Sequence, residues 1–398
     1  MKILIWTKNI DMTCKGGPMG YCGNIKNYLL RNPCDEIDFY PQEATTENES
    51  AKKVSFKKRI SALLQKNKYT NFFVVIYRIY FKKYPLSRAD EALLSKYDYV
   101  HVHLAAEILR TFQHFNNGKT KVILTTHTPE PLIDEYIDRY GVRRLMTIFP
   151  FIRRFLLRRE TLAYEKCNYI MFPVPEAKEP YEHKSMAHRD VFKAVSKKFF
   201  YVPTAIDELE NTSSPTCCLD KFNIPENALK LCYVGRHNTV KGYDLLKRIA
   251  QKTWEKNPDV YFIVGGKQEP LCGLDDKRWI ELGWVKTSDL LNEVDAFILP
   301  NKETYFDIIL LEVLRQGVPV IISRTGGNKW MDAKKIEGIH CFDYGDENGC
   351  SDIIVELLAN KNNGLIEKQK KANIEFFHRE LCMEKYIANY LDAVRKLG

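Results

Sequence analysis

Glu312 is a carboxylate that the sequence predicts to be buried, and burying its charge costs free energy. Glu312 lies inside an apolar run that is predicted to form a helix from Phe306 to Gln316. A buried carboxylate is unfavourable unless it accepts hydrogen bonds. The free N–H groups at Phe306 to Ile308 favour an anion. A phosphate there, with Glu312 one turn deeper, fits a nucleotide whose ribose hydroxyls donate to the carboxylate. The alternative is a carboxylate that faces a gap between layers or pairs with a buried Arg.

Two cations form a second candidate group. Gly235 and Arg236 directly follow a predicted strand from Leu229 to Val234, and Lys241 precedes an amphipathic helix. Arg binds phosphate as a two-pronged donor and Lys binds it as a point charge, so this loop suits a diphosphate. Each cation alone could equally be a surface residue.

The elements around Glu312 predict a βαβ unit. An apolar strand from Asp295 to Leu299 precedes the helix, and a Gly-Val-Pro turn leads to a buried strand from Val318 to Ser323 and a Gly-Gly loop. Strands joined through a helix by short loops are parallel. Open sheets of this kind bind ligands at the carboxyl ends of their strands, where both candidate groups lie.

This segment resembles the donor-binding signature of the retaining glycosyltransferases of family 4, which have the two-domain GT-B fold. The residues that match the signature are Phe306, Glu312, Gly317, Pro319 and Val320. The Gly-Arg-x4-Lys-Gly spacing around Arg236 and Lys241 matches the second signature of that family.

Two positions depart from the pattern. Asp307 occupies the place of the usual Gly, and Glu303 lies nine residues before Glu312 instead of eight, with Thr304 at the expected place. The resemblance implies that Glu303, Thr304 or both contact the hydroxyls of the donor sugar. It also implies that Phe306, Asp307 and Ile308 lie beside the diphosphate.

The first half of the chain contributes weaker signals. Gly16 and Gly17 follow the predicted strand from Ile3 to Thr7, and His127 ends the predicted strand from Lys121. A bare Gly-Gly pair is more often a turn, and a lone His at a strand end is usually structural. In the resembling family, however, the Gly pair faces the donor diphosphate and the acceptor, and a His lies near the reacting sugar.

Length and pattern predict an α/β protein with two Rossmann-like, doubly wound domains. At 398 residues the chain is too long for one ordinary core. We expect an acceptor-binding domain at 1–205, a nucleotide-sugar domain at 206–372 and a final helix at 373–398. The GT-B resemblance implies a central cleft and a last helix that crosses back to the first domain.

Composition indicates a cytoplasmic protein. The 11 cysteines show no CxxC and no metal-like spacing, which favours a reducing compartment. Neither a signal peptide nor an apolar stretch of transmembrane length is expected. No Asp-x-Asp pair is predicted at a strand end, so we expect no metal and no cofactor. Arg236, Lys241 and helix N–H groups would neutralise the leaving diphosphate.

Two segments combine positive charge with apolar residues. Residues 52–88 hold 11 Lys or Arg and no acid, against a net charge of +9 for the whole chain, and residues 143–159 form a second basic run. Such segments fit helices that lie on an anionic membrane surface. A solvated basic face above a core of aromatic residues explains them equally well. Nucleic-acid binding is a third interpretation, which no recognised motif accompanies.

The sequence therefore predicts a retaining, metal-independent glycosyltransferase that uses a UDP- or GDP-sugar. The acceptor would be a saccharide or lipid-linked saccharide of the cell envelope, reached at the inner face of the cytoplasmic membrane. A soluble acceptor stays open, because a basic face could equally attract an acidic oligosaccharide. The resemblance implies front-face attack, with His127 positioning the sugar. Two other classes stay open: a nucleotide-sugar epimerase of the same fold, and a catalytically silent binding subunit suggested by Asp307 and Glu303.

Overall fold

The computed structural model describes residues 1–8, 17–41, 67–128, 130–208 and 219–398. They form two compact units. The first contains Met1–Phe172, Lys178–Val202 and Ala393–Gly398, and the second contains Pro173–Ala177 and Pro203–Asp392. Each unit has a parallel six-stranded sheet with helices between strands, which confirms the predicted α/β class with two doubly wound sheets.

The first sheet has the order β2-β1-β3-β4-β5-β6. Its strands are β1 Ile3–Trp6, β2 Ile37–Tyr40, β3 Tyr99–Val102, β4 Lys121–Thr125, β5 Tyr169–Phe172 and β6 Phe199–Tyr201. All residues of β1 and β3 are buried, as expected for central parallel strands covered on both faces. From β1 the strand order proceeds to β2 on one side and to β3 on the other. The switch point of the sheet therefore lies between β1 and β3.

The second sheet has the order β12-β11-β10-β7-β8-β9, the arrangement of a dinucleotide-binding fold. Its strands are β7 Leu229–Val234, β8 Val260–Gly265, β9 Trp279–Gly283, β10 Ala296–Leu299, β11 Val320–Ser323 and β12 Ile339–Phe342. The switch point lies between β7 and β10, which pair directly through Ala296 and Leu231.

Helices connect these strands on both faces. In the first unit they are Gly17–Arg31, Lys68–Ile76, Arg88–Leu94, Ala105–Glu107, Leu132–Arg139, Arg143–Ile148, Pro150–Lys166, Glu179–Lys184 and Met186–Ala194. In the second unit they are Tyr243–Lys256, Thr287–Leu291, Ile308–Arg315, Asn328–Ala333, Glu347–Ala359 and Leu365–Phe376. Met383–Arg395 begins in the second unit and ends in the first.

Several predicted boundaries were wrong. The helix expected from Phe306 begins at Ile308, because Asp307 keeps an extended backbone with ψ 124°. The single helix expected over 373–397 is interrupted: a π-helical turn at Phe377–Leu381 ends at Cys382, whose backbone is extended. Apolar residues continue at helical spacing through Asp307 and through Cys382, so periodicity alone revealed neither the late helix start nor the interruption.

Candidate functional site

The loops after β7 and β10 pack against each other at the switch point of the second unit. Lys302 donates its N–H to the carbonyl oxygen of Val240 at 3.0 Å. Gly242 has φ +68°, and a Cβ there would overlap the carbonyl oxygen of Pro300. Only glycine combines this left-handed backbone with such a close approach. The two predicted groups, around Lys241 and around the helix start, are therefore brought together.

Lys241 is bound to Asp307. Its Nζ lies 2.6 Å and 2.7 Å from the two carboxylate oxygens, and Asn301 Nδ2 donates to the same carboxylate at 2.5 Å. The two side chains of the ion pair are only 16% and 14% exposed. Asp307 precedes the Ile308–Arg315 helix but does not cap it through its side chain. The residue that replaces the usual Gly thus holds the cation expected to bind the diphosphate.

Arg236 is exposed, and no described residue accepts a hydrogen bond from its guanidinium. Its backbone is fixed, because Tyr233 Oη donates to the Arg236 carbonyl at 2.9 Å. Gly235 lies between these residues, and its carbonyl oxygen would overlap a Cβ placed on Gly266. This loop therefore presents a free cation on a rigid backbone beside the Lys241–Asp307 pair.

Glu312 is half-buried, and within the described ranges nothing hydrogen-bonds to its carboxylate. Burial raises its pKa, and the charge of Arg315 opposes this shift in part. Arg315 does not bond to Glu312. Its Nη1 donates instead to the carbonyl oxygen of Asp207 at 2.7 Å. The alternative of a carboxylate paired with a buried Arg is therefore not realised as a direct contact.

The residues expected to contact the sugar differ in exposure. Glu303 is half-buried, whereas Thr304 exposes no surface and its Oγ1 has no hydrogen-bond partner among the described residues. A Cβ at Gly326 would overlap the Thr304 carbonyl oxygen, so the Gly-Gly loop lies tightly on this backbone. Phe306 is also buried, with its ring 5.9 Å from that of Trp330. Its side chain belongs to the core, and only its backbone lies at the helix start.

A buried network beside β9 was not predicted. Tyr243 Oη and Trp279 Nε1 donate to Glu281 Oε1 at 2.5 Å and 2.8 Å. The ring of His237 stacks on that of Tyr243 at 4.0 Å and is fully buried. Burial lowers the pKa of His237, and the charge of Glu281 opposes this shift. The polar residues come from three separate loops and strands, so no local spacing in the sequence signalled them.

In the first unit, His127 belongs to a row of aromatic rings. His103 Nδ1 and His127 Nε2 share a hydrogen bond of 3.1 Å, and His101 Nε2 bonds to Thr125 Oγ1 at 2.7 Å. The ring of Tyr21 lies 4.6 Å from that of His127. His101 lies near the end of β3, and His103, Thr125 and His127 lie at or just beyond the carboxyl ends of β3 and β4, next to the switch point. The bond between His103 and His127 was not predicted.

Burial keeps these histidines neutral. It lowers the pKa of His101 and of His127 to about 3, and the pKa of His103 is lowered by burial and by both neighbours. His127 can therefore donate or accept a hydrogen bond at neutral pH, but it does not carry a charge. Of the predicted Gly pair, Gly17 begins the Gly17–Arg31 helix, and Gly16 lies outside the described residues.

Among the described residues, no group of three or more His, Cys, Asp or Glu side chains is arranged to hold a metal ion. Of the two predicted cations of the second unit, Lys241 reaches the helix start through its ion pair with Asp307, and Arg236 lies on the loop that also carries Lys241.

Comparison with known proteins identifies the second unit. Residues 228–360 match the family model of the glycosyl transferases group 1. An uncharacterized 41.2 kDa protein in the cps region of Klebsiella pneumoniae is 22% identical over 96% of this chain and 97% of its own length. The lipopolysaccharide core biosynthesis glycosyltransferase LpsE of Rhizobium meliloti is 25% identical over 42% of this chain and 51% of its own length.

Solved structures show the same fold across the whole chain. Sucrose-phosphate synthase from Thermosynechococcus elongatus has a TM-score of 0.60 at 14% identity, covering 100% of this chain and 98% of its own. Anabaena HepE, solved in complex with UDP-glucose, has a TM-score of 0.57 at 13% identity and covers 100% of both chains. Residues 228–360 are thus similar to the glycosyl transferases group 1, and the whole chain shares the two-domain α/β fold of these solved structures.

Proposed function

We propose that the protein transfers a sugar from a nucleotide diphosphate sugar to an acceptor hydroxyl with retention of the anomeric configuration. The observation that carries this proposal is the assembly at the second switch point. There Lys241 pairs with Asp307 at the start of the Ile308–Arg315 helix, Arg236 lies on the same loop as Lys241, and Glu312 lies one turn deeper, where no described residue donates a hydrogen bond to its carboxylate. This combination suits a diphosphate followed by a ribose.

The donor would be bound as follows. The diphosphate lies against the backbone of Phe306 to Ile308, and Lys241 exchanges the carboxylate of Asp307 for phosphate oxygens. Glu312 accepts hydrogen bonds from the ribose. Glu303 is the better candidate for the sugar hydroxyls, because Thr304 exposes no surface. HepE was solved with UDP-glucose, which makes UDP-sugars the first donors to test before GDP-sugars.

The chemistry proposed is front-face attack. The acceptor hydroxyl gives its proton to the leaving phosphate oxygen, and the cations of the donor loop stabilise the charge that develops on the diphosphate. His127 is neutral because of burial, so its role is to hold a sugar hydroxyl by a hydrogen bond. The reaction needs no metal in this scheme, since Arg236 and Lys241 supply the positive charge.

An acceptor at the membrane is supported by the first unit. The described parts of 52–88 and 143–159 meet, with the ring of Tyr80 5.4 Å from that of Phe155 and the ring of Phe72 6.0 Å from that of Phe149. Around them lies an aromatic face of exposed large apolar side chains, formed by Tyr69, Phe73, Tyr77, Tyr80, Phe81, Ile148, Phe149, Phe151 and Phe155. Residues 52–66 of the predicted basic block lie outside the described residues.

Such a large exposed apolar surface, mixed with cations, fits the interface of an anionic bilayer. Within the described residues no helix is both long and apolar enough to cross a bilayer. In this proposal the protein is peripheral, and it contacts the cytoplasmic side of the membrane through the aromatic face and its cations. The similarity to a protein of a cps region and to a lipopolysaccharide core glycosyltransferase supports an acceptor of the cell envelope.

Two measurements test this function. A thermal-shift panel of UDP- and GDP-sugars should identify one stabilising donor, and incubation with that donor and envelope lipid extract should give a product whose anomeric configuration, read by proton NMR, equals that of the donor. Inversion would reject retention. Conversion of the donor alone into a different sugar would identify an epimerase, and folded protein that neither binds nor consumes any donor would identify a silent subunit.

A further inference from the structure

Two cations beside the aromatic face converge on one uncharged oxygen. Lys83 Nζ donates to Gln113 Oε1 at 2.9 Å, and Arg159 Nη2 donates to the same atom at 2.7 Å. Lys83 also donates to the carbonyl oxygen of Leu109 at 3.1 Å. The three side chains come from different segments of the chain, after the Tyr77–Phe81 turn, after Phe112 and within the Pro150–Lys166 helix. The fold therefore holds two positive charges side by side.

No described carboxylate lies within ion-pair distance of either cation. Burial and the charge of Arg159 together lower the pKa of Lys83, which shows that the two cations repel each other. The Nε of Arg159 is buried and has no hydrogen-bond partner in the described part of the chain. An amide oxygen carries only a partial charge, so this group lacks one full negative charge and one acceptor.

The rim of the group is aromatic. The guanidinium of Arg159 lies 5.5 Å from the ring centre of Tyr80, and the rings of Phe81 and Phe155 beside it are 61% and 52% exposed. A free anion needs the two cations but gains nothing from exposed aromatic rings. An amphiphile with a phosphate and acyl chains uses both, because aromatic side chains at a bilayer interface bury their rings among the chains.

We propose that Lys83 and Arg159 bind the phosphodiester of an anionic phospholipid, whose phosphate oxygen takes the place of Gln113 Oε1. Arg159 contributes a planar fork and Lys83 a point charge, and the neighbouring aromatic residues enter the bilayer. This inference rests on the proposed membrane-side function and names its lipid contact. The Lys83–Arg159 site would hold the first unit at one lipid headgroup, in addition to the general attraction between a basic surface and an anionic membrane.

The test is co-sedimentation of the full chain with vesicles of phosphatidylcholine, alone or mixed with phosphatidylglycerol, without donor or acceptor. Gln113→Glu and Arg154→Gln both lower the net charge by one. Gln113→Glu places a carboxylate between the two cations, where it pairs with both and occupies the place of the phosphate, so partition should fall about 30-fold. Arg154→Gln removes one exposed cation from the same helix and should lower partition about fivefold. The double variant Lys83→Gln/Arg159→Gln removes both cations of the site and should lower partition at least as much as Gln113→Glu.

Equal losses for Gln113→Glu and Arg154→Gln would overturn the site and leave diffuse attraction. Binding of soluble glycerol 3-phosphate by wild type, without any vesicle binding, would overturn the lipid assignment in favour of a free phosphate. Binding of UDP to each variant serves as the folding control. Vesicle binding is measured without turnover. The experiment can therefore reject the lipid site while the proposed sugar transfer holds, and it can support the lipid site when no transfer is found.

Discussion

Lys241 and Asp307 are 66 residues apart in sequence and form a close ion pair at the start of the Ile308–Arg315 helix. A helix start attracts anions, and here a side chain of the protein is already the anion beside the cation. A donor diphosphate must therefore displace the carboxylate from Lys241 or bind next to it. Asp307 thus competes with the substrate for the same positive charge.

We expect Asp307→Asn to tighten the binding of the nucleoside diphosphate by about fivefold, corresponding to about 1 kcal/mol, since phosphate no longer competes with a carboxylate. Isothermal titration calorimetry measures this directly. Asp352→Asn, which makes the same charge change at the exposed pair with Lys256, should leave the affinity unchanged. Weaker binding by Asp307→Asn would show that this carboxylate itself contacts the ligand.

Glu312 should show a trade-off between stability and binding. Burial raises its pKa above the ordinary 4.5, so the folded state holds the proton more tightly than the unfolded chain. The free energy of unfolding therefore falls as pH rises from 4.5 through the raised pKa, and the whole cost is present above the raised pKa. Glu312→Gln should be more stable than wild type at pH 7 and equal to it at pH values well below 4.5.

Glu312→Gln should also bind UDP and the UDP-sugar more weakly than wild type, because an amide is a poorer acceptor for ribose hydroxyls than a carboxylate. Urea unfolding at several pH values and calorimetry with both ligands provide the two readouts. Unchanged affinity for both ligands would rule out the ribose assignment, whatever the stability result.

The buried histidines should make the first unit acid-labile. His127 has a pKa of about 3 when folded and about 6.5 when unfolded. Protons therefore bind preferentially to the unfolded chain, and stability falls as pH drops from 6.5 toward 3, by about 1.4 kcal/mol per pH unit for each such histidine. His127→Gln should flatten the curve of unfolding free energy against pH in that window. A curve parallel to that of wild type would contradict a lowered pKa of His127.

His103 should act through His127. An Asn at position 103 can place its amide near the position of Nδ1, the atom that bonds to His127, whereas a Gln places its amide near that of Nε2. We expect His103→Asn to retain turnover and His103→Gln to lower kcat about tenfold, the value of one lost hydrogen bond, with KM for the donor unchanged. Nitrogen NMR of His127 should show a change of tautomer only in His103→Gln. Equal kinetics for His103→Asn and His103→Gln would show that His103 contributes only to packing.

The donor cations should carry much of the rate. Arg236→Ala and Lys241→Ala should each lower kcat by about 10²-fold, because each removes charge that stabilises the leaving diphosphate. Activity should persist in EDTA if these cations replace a metal. Full loss in EDTA, restored by magnesium or manganese, would contradict the metal-free scheme. Lys252→Ala, at an exposed cation on the Tyr243–Lys256 helix, is the matched control and should retain full turnover.

The sequence by itself determined the βαβ unit around Glu312, the strand-loop-helix arrangement around Arg236 and Lys241, and the α/β class. These features depend on apolar periodicity, turn residues and short spacings, which are properties of neighbouring residues. The helix start was misplaced by two residues, since apolar pattern does not report the extended backbone of Asp307.

Only the tertiary structure decided which side chains meet. The contacts of Lys241 with Asp307, of His103 with His127, and of Lys83 and Arg159 with Gln113 join residues that are 66, 24, 30 and 46 positions apart. Strand order sets the first two, because neighbouring parallel strands bring their following loops to one edge of a sheet. The packing of helices in the first unit brings Lys83 and Arg159 to the same oxygen of Gln113. No local pattern in the sequence indicates which side chains meet there.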